Sequence, residues 1–237
     1  MQIVNSSTVD FVDKLGTDLT VVNAARVSFD KTSVMLKKAC DHDGCGPECR
    51  GYTEVLADGD QKLIGYLAAH NHWSPFAHAQ VQLRITAPIF VARQLVKHQI
   101  GLVWNEVSRR YVSDEPTYFL PTVWRGKPVN GAKQGSHGEV ILPDAVLRRV
   151  DDLMEDSVEV YNMLMTFGVA AEQARMFLLQ NMMTSWYWTG SLYACARICD
   201  LRLDAHAQGE TTDVAKQIDK ICGEHFPHAW SALASWS

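Results

Sequence analysis

Between residues 87 and 111 the chain reads APIFVARQLVKHQIGLVWNEVSRRY, and few of its polar side chains are there for solubility alone. Arg93, Gln94, Lys97, His98 and Gln99 come first, then Asn105, Glu106, Ser108, Arg109 and Arg110, interleaved with Phe90, Leu95, Val96 and Trp104. Guanidinium forks and a hydroxyl both donate hydrogen bonds to phosphate oxygens. A carboxylate beside them accepts hydrogen bonds or a proton. The stretch therefore has the makings of a pocket for a small polar ligand. A second group of interest is Cys40, His42, Cys45 and Cys49. Zinc takes such donors in a tetrahedron, but paired C-x2-C knuckles are absent and the loop is tight, so the set reads equally as an insertion with incidental thiols. No metal is assigned. A third is His72-Trp73-Ser74-Pro75-Phe76-Ala77-His78, a turn carrying two histidines and two aromatics, of which His72 is the better site candidate.

These groups need a scaffold. Pro88 opens an apolar run at helical spacing, and the alternating VQLRIT of residues 81–86 predicts a half-buried strand feeding it. The polar residues that follow are then expected on a helix and the loop after it. Upstream, MQIVNSS suits an edge strand, residues 19–29 lean helical, residues 31–39 can continue that helix, and residues 41–51 break it with glycine, proline and charge. Residues 60–71 carry apolar side chains at 63, 64, 67 and 68, an amphipathic helix. Downstream, residues 113–138 read as an irregular excursion. Residues 143–167 predict a long amphipathic helix ended by Gly168, residues 169–188 a second helix, residues 192–200 a third, and residues 205–222 a last one before Pro227. Strands in the first half and helices in the second describe an α+β fold.

Composition narrows the function. The 237 residues suit one domain with a full core, here 1–237 with a loop insertion at about 40–59. A net charge of -5 argues against a nucleic-acid partner, though not against a local phosphate pocket. No apolar run is long enough to span a membrane, and MQIVNSSTVD lacks the features of a signal peptide. The expectation is a cytoplasmic protein with no membrane partner, whose six cysteines are thiols.

HNHWSPFAH, TAPIFVARQ, NEVSRRY and LRLDAHAQGE, in this order and spacing, resemble the flavin-dependent thymidylate synthases. The resemblance implies a mixed α/β core with a mainly antiparallel sheet, a helix-rich C-terminal half and a homotetramer in which FAD and nucleotide meet between subunits. It also implies methyltransferase chemistry: reductive methylation of dUMP to dTMP, with methylenetetrahydrofolate giving the carbon and NADPH reducing FAD, and no covalent protein nucleophile. Carried over position by position, the nucleotide pocket comprises Gln94, Leu95, Val96, Lys97, Glu106, Val107, Ser108, Arg109, Arg110, Ser185 and Thr212. The flavin segment comprises His72, Ser74, Lys97, His98, Gln99, Glu106, Asp200, Leu201, Arg202 and His206. Glu106 and Arg109 are the candidates for a catalytic role.

The departures from the family are equally specific. Lys97-His98-Gln99 stands where the family has Arg-His-Arg, and the interval from His98 to Asn105 is one residue longer. Ser185 stands at a nucleotide-binding arginine of the family, and Thr211 or Thr212 at the arginine credited with ionising uracil N3. A hydroxyl cannot stabilise a pyrimidine anion as a guanidinium does. Arg109 is then the candidate replacement. The alternatives are C5 methylation or hydroxymethylation of a cytosine nucleotide such as dCMP, or a catalytically silent nucleotide-binding relative.

Overall fold

The protein was analysed as a computed structural model that describes residues 1–39, 52–112, 114–129 and 135–234. Cys40, His42, Cys45 and Cys49 lie outside the described residues. In chain order the elements are β1 (Gln2–Val4), β2 (Thr8–Leu15), α1 (Asp18–Arg26), β3 (Leu36–Ala39), β4 (Tyr52–Val55), α2 (Asp58–Ala69), α3 (Trp73–Ala77), β5 (Gln80–Pro88) and α4 (Ile89–Leu95). They continue with β6 (Leu102–Glu106), β7 (Thr117–Phe119), β8 (Arg125–Gly126), β9 (His137–Glu139), α5 (Asp144–Thr166), α6 (Ala171–Ala174), β10 (Met183–Ser191), α7 (Leu192–Arg202), α8 (Gly209–His225) and α9 (Pro227–Leu233).

The frame is a four-stranded antiparallel sheet in the order β2-β5-β10-β6. Alternation decides its faces, because successive side chains on a strand point to opposite sides. Val81, Leu83, Ile85 and Ala87 of β5 are buried beside Thr184, Trp186 and Trp188 of β10, and helices α1, α2, α4, α7, α8 and α9 contribute to the same core. Gln82, Arg84 and Thr86 lie on the opposite face with Ser185, Tyr187 and Thr189, their cross-strand partners or neighbours. A smaller core joins Tyr118 and Met182 to Met154 and Val158 of α5.

Several sequence expectations hold. Residues 81–86 lie within β5, α1 and α2 fall where the apolar spacing puts them, α5 ends at Thr166 just before Gly168 with its φ of 81°, and β1 pairs in parallel with β7. Others do not. The expected helix over residues 169–188 gives way to α6, a short 3-10 turn and then β10, a central strand, because Thr184, Trp186 and Trp188 reach the core only at a period of two. The helix continuing through residues 31–39 is instead β3, paired with β4. Residues 102–106, expected on a helix or loop, form the sheet edge β6. The turn at residues 72–78 contains the short helix α3.

Candidate functional site

A cleft of about 1250 Å³ opens where α4, α5, the end of α7 and the start of α8 approach each other. Phe90, Phe119, Leu120, Leu153, Met154 and Leu179 make an apolar wall. Gln94, Arg125, Asp200, Arg202, His206, Gln208 and Glu210 supply the polar side. The sequence-expected residues Gln94, Asp200, Leu201, Arg202 and His206 all line it.

Two more of them are one hydrogen bond behind this wall. Arg202 donates through Nε and Nη2 to His98 Nε2 at 3.2 and 3.1 Å. Burial pushes the His98 pKa down, and the charges of Arg202 and then Arg197 push it further, so the ring is a neutral acceptor holding Arg202. Thr212 donates its hydroxyl to the carbonyl oxygens of Arg202 at 2.9 Å and Gln208 at 3.2 Å. His206 is fixed by Asp204, whose Oδ1 accepts from the His206 backbone N–H at 2.7 Å and lies 3.0 Å from Nδ1.

A second group gathers at the far end of β6. Glu106 accepts from Thr184 Oγ1 at 2.8 Å and from Trp104 Nε1 at 3.2 Å, so an exposed carboxylate is held by two elements of the sheet. The Val107 N–H donates to the Ser185 carbonyl at 2.9 Å, which draws the following loop onto β10. Ser108 Oγ accepts from Arg110 Nε at 3.3 Å, and the Arg110 guanidinium is exposed. Ser185 Oγ accepts from Thr86 Oγ1 at 3.1 Å and from Arg84 Nε at 3.4 Å.

Arg109 lies apart from that donor set. Its guanidinium carbon is 5.5 Å from the Tyr161 ring centre on α5, and Nε and one terminal nitrogen are shut away from solvent without a partner among the described residues. Leu95 is wholly buried in the core, so its side chain lines no pocket, and Val96 is half-buried. Lys97 and Gln99 are exposed on either side of His98. His72 lies in a smaller cleft of about 380 Å³ beside Trp73, Tyr193, Arg197 and Asp200, while Ser74 is exposed nearby and does not line it. Asp200 borders both clefts.

Sequence reasoning missed Arg125, Gln208 and Glu210. Arg125 Nη2 donates to both Glu210 oxygens at 2.6 Å, and Gln208 Nε2 donates to Glu210 Oε2 at 3.0 Å. Burial opposes the Glu210 charge most strongly, yet its backbone hydrogen bond, Arg125 and Gln208 together outweigh it and hold the pKa below the usual carboxylate range. The signal that could have found the group is AQGE, a glycine at the start of a helix between two hydrogen-bonding side chains.

Fold and site together define an α+β enzyme with an antiparallel sheet and a cleft suited to a large polar ligand. The family model described as "Thymidylate synthase complementing protein" matches residues 10–228, and the chain belongs to that family. It is 31% identical to the flavin-dependent thymidylate synthase of Thermotoga neapolitana over 99% of this chain and 94% of that one. It is 33% identical to the enzyme of the same name from Thermosipho melanesiensis over 95% of this chain and 90% of that one. Among solved structures it resembles the UMP/dUMP methylase PolB from Streptomyces cacaoi bound with 5-Br dUMP, with a TM-score of 0.80, 27% identity, and coverage of 99% of this chain and 97% of PolB. By family it is a methyltransferase.

Proposed function

We propose that the chain methylates dUMP to dTMP, with FAD as cofactor, methylenetetrahydrofolate as carbon donor and NADPH as reductant. The observation that carries the reading is the meeting of Gln94 of α4 with Asp200, Arg202 and His206 of the distant segment at the end of α7, on one cleft of about 1250 Å³. That volume exceeds the roughly 300 to 1,000 Å³ of ordinary small-molecule pockets, which suits a dinucleotide. The donor set fits FAD as well: the apolar wall takes a ring system, and Arg202, held by neutral His98, offers charge to phosphate oxygens. When bound, the flavin supplies hydride.

The chain's own residues then do the positioning. Thr184 and Trp104 hold the Glu106 carboxylate as a fixed acceptor for a ligand N–H or a proton. Ser108 and Arg110 offer donors for the nucleotide phosphate. Covalent attack by a cysteine is not part of the scheme: Cys195, Cys199 and Cys222 are buried, and burial among neighbouring groups raises the Cys199 pKa far above that of a free thiol. We place the enzyme in the cytoplasm as a homotetramer. Among the described residues no helix is long and apolar enough to cross a membrane, and exposed Ile141, Phe167, Met176 and Phe177 offer apolar surface for assembly.

One observation favours a second reading. Ser185 and Thr212 carry no charge, so a cytosine nucleotide, with no N3 proton to lose, is a chemically reasonable substrate for C5 methylation or hydroxymethylation. A mass-spectrometric product assay decides, with dUMP, UMP and dCMP offered in parallel to the purified protein plus FAD, NADPH and methylenetetrahydrofolate. The expected result is a yellow protein that adds one methyl group to dUMP. A colourless protein that takes up no flavin and leaves every nucleotide unchanged refutes the enzyme reading.

A further inference from the structure

Arg125 arrives at the cleft from the segment after β7, outside every motif that carries the family resemblance. Its place is built for it. A Cβ at Gly209 would lie 1.8 Å from Arg125 Nη1 and 2.8 Å from Cζ, so the guanidinium fills the space of any side chain at that position. The φ of Gly209 is outside the left-handed region, and the residue is needed for room rather than for backbone freedom. Glu210, the next residue, then takes the guanidinium by both oxygens.

The pair ends a directed chain of hydrogen bonds. Buried Thr211 donates to Gln94 Oε1 at 3.3 Å, Gln94 Nε2 donates to Gln208 Oε1, and Gln208 Nε2 donates to Glu210 Oε2 at 3.0 Å. That direction commits one proton of each amide nitrogen to the chain and leaves the other for a ligand. Arg125 Nη1 and Nε likewise donate to no other described residue. This side of the cleft therefore offers N–H donors, while Glu210 neutralises the charge of Arg125. A phosphate gains little here and is left to Arg202, whereas neutral carbonyl oxygens gain a hydrogen bond each. Uracil presents a carbonyl at C4, and cytosine presents an amino donor there.

We propose that Arg125, oriented by Glu210 over Gly209, reads the carbonyl edge of the pyrimidine and selects uracil over cytosine. The proposal rests on the reaction proposed above and deepens it: a cleft of about 1250 Å³ has room for the pyrimidine of dUMP beside the flavin. Donors that face donors are left unpaired, which makes rejection of the wrong ring stronger than recognition of the right one.

The test is calorimetric titration of the flavin-loaded enzyme with dUMP and with dCMP, for the wild type, Arg125→Met and Gly209→Ala. Gly209→Ala keeps the arginine but pushes its flexible end out of place, and so gives an independent variant if Arg125→Met folds poorly. The wild type is expected to prefer dUMP by at least about tenfold. Both variants should lose roughly ten- to a hundredfold in dUMP affinity, with dCMP affinity changed by less than about threefold and flavin content retained. Equal losses for the two nucleotides, or an unchanged preference, overturn the assignment. A flavin-loaded wild type that binds neither nucleotide overturns the reading of the cleft itself.

Discussion

Trp104 offers the sharpest separation of packing from chemistry, because one ring does two jobs. It stacks on Trp186 with centroids 4.3 Å apart and an interplanar angle of 19°, meets Trp188 edge-on at 5.5 Å, and donates Nε1–H to Glu106 at 3.2 Å. Trp104→Phe keeps an aromatic ring against both tryptophans and deletes the donor. Its cost is one hydrogen bond to an exposed carboxylate, about 1 kcal/mol after solvent competition. Trp104→Ala removes that hydrogen bond too, with two aromatic pairs at about 0.5 to 1.5 kcal/mol each and about 1 kcal/mol of partial burial, for a total of roughly 4 kcal/mol. At about 2 to 4 °C per kcal/mol for a chain of this size, calorimetry should show a fall in Tm of roughly 2 to 4 °C for the phenylalanine and 8 to 16 °C for the alanine. Turnover of dUMP should fall by a similar factor in both, about fivefold if the lost hydrogen bond is worth about 1 kcal/mol in positioning Glu106. A phenylalanine variant with full turnover refutes the role of this tether. Equal melting temperatures for the two variants refute the stack as what holds β6.

Two further outcomes follow from buried titratable groups. His98 should titrate below the ordinary histidine value of 6.5 in NMR, and Arg202→Met should return only part of the shift, since burial is its larger cause. Because the folded pKa is depressed, the unfolded chain binds the extra proton first, so this group's contribution to stability is full above about pH 6.5 and is lost as pH falls through the folded value. A His98 that titrates above 6.5 contradicts the neutral-acceptor assignment. Native thiol labelling followed by peptide mass spectrometry should leave Cys195, Cys199 and Cys222 unmodified until the chain is denatured, given their burial. Labelling of any of these under native conditions contradicts the packing of α7 against α8.

Much of the fold was legible where a period ran long enough. VQLRIT alternates without interruption and gives β5, and α2, α5 and α8 each carry an apolar stripe. The failures have local causes. β2 has the alternation of a strand only as far as Phe11, where a bulge before Asp13 shifts the register. β3 reads LKKA and becomes a strand only by pairing with β4 across residues 40–51, which its own sequence cannot announce. For β10 the preceding AEQARMFLLQ is rich in helix formers, and that preference was carried too far into TSWYWT, whose aromatic and hydroxyl residues belong to a sheet.

The site divides in the same way. Residues contributed by one contiguous motif, such as Asp200 with Arg202 and His206, could be gathered from sequence, because a single helix end and its loop present them together. Arg125 could not, since its partner Glu210 is 85 residues away and no local pattern joins them. This changes what the two neutral positions mean. By the family resemblance, Ser185 and Thr212 stand where arginine is expected. In the folded chain Arg84 of β5 reaches Ser185 Oγ at 3.4 Å, so a guanidinium is supplied there from another element. Thr212 is occupied with backbone carbonyls, and two residues before it in the first turn of α8 Glu210 neutralises the Arg125 guanidinium, which therefore brings donors rather than net charge.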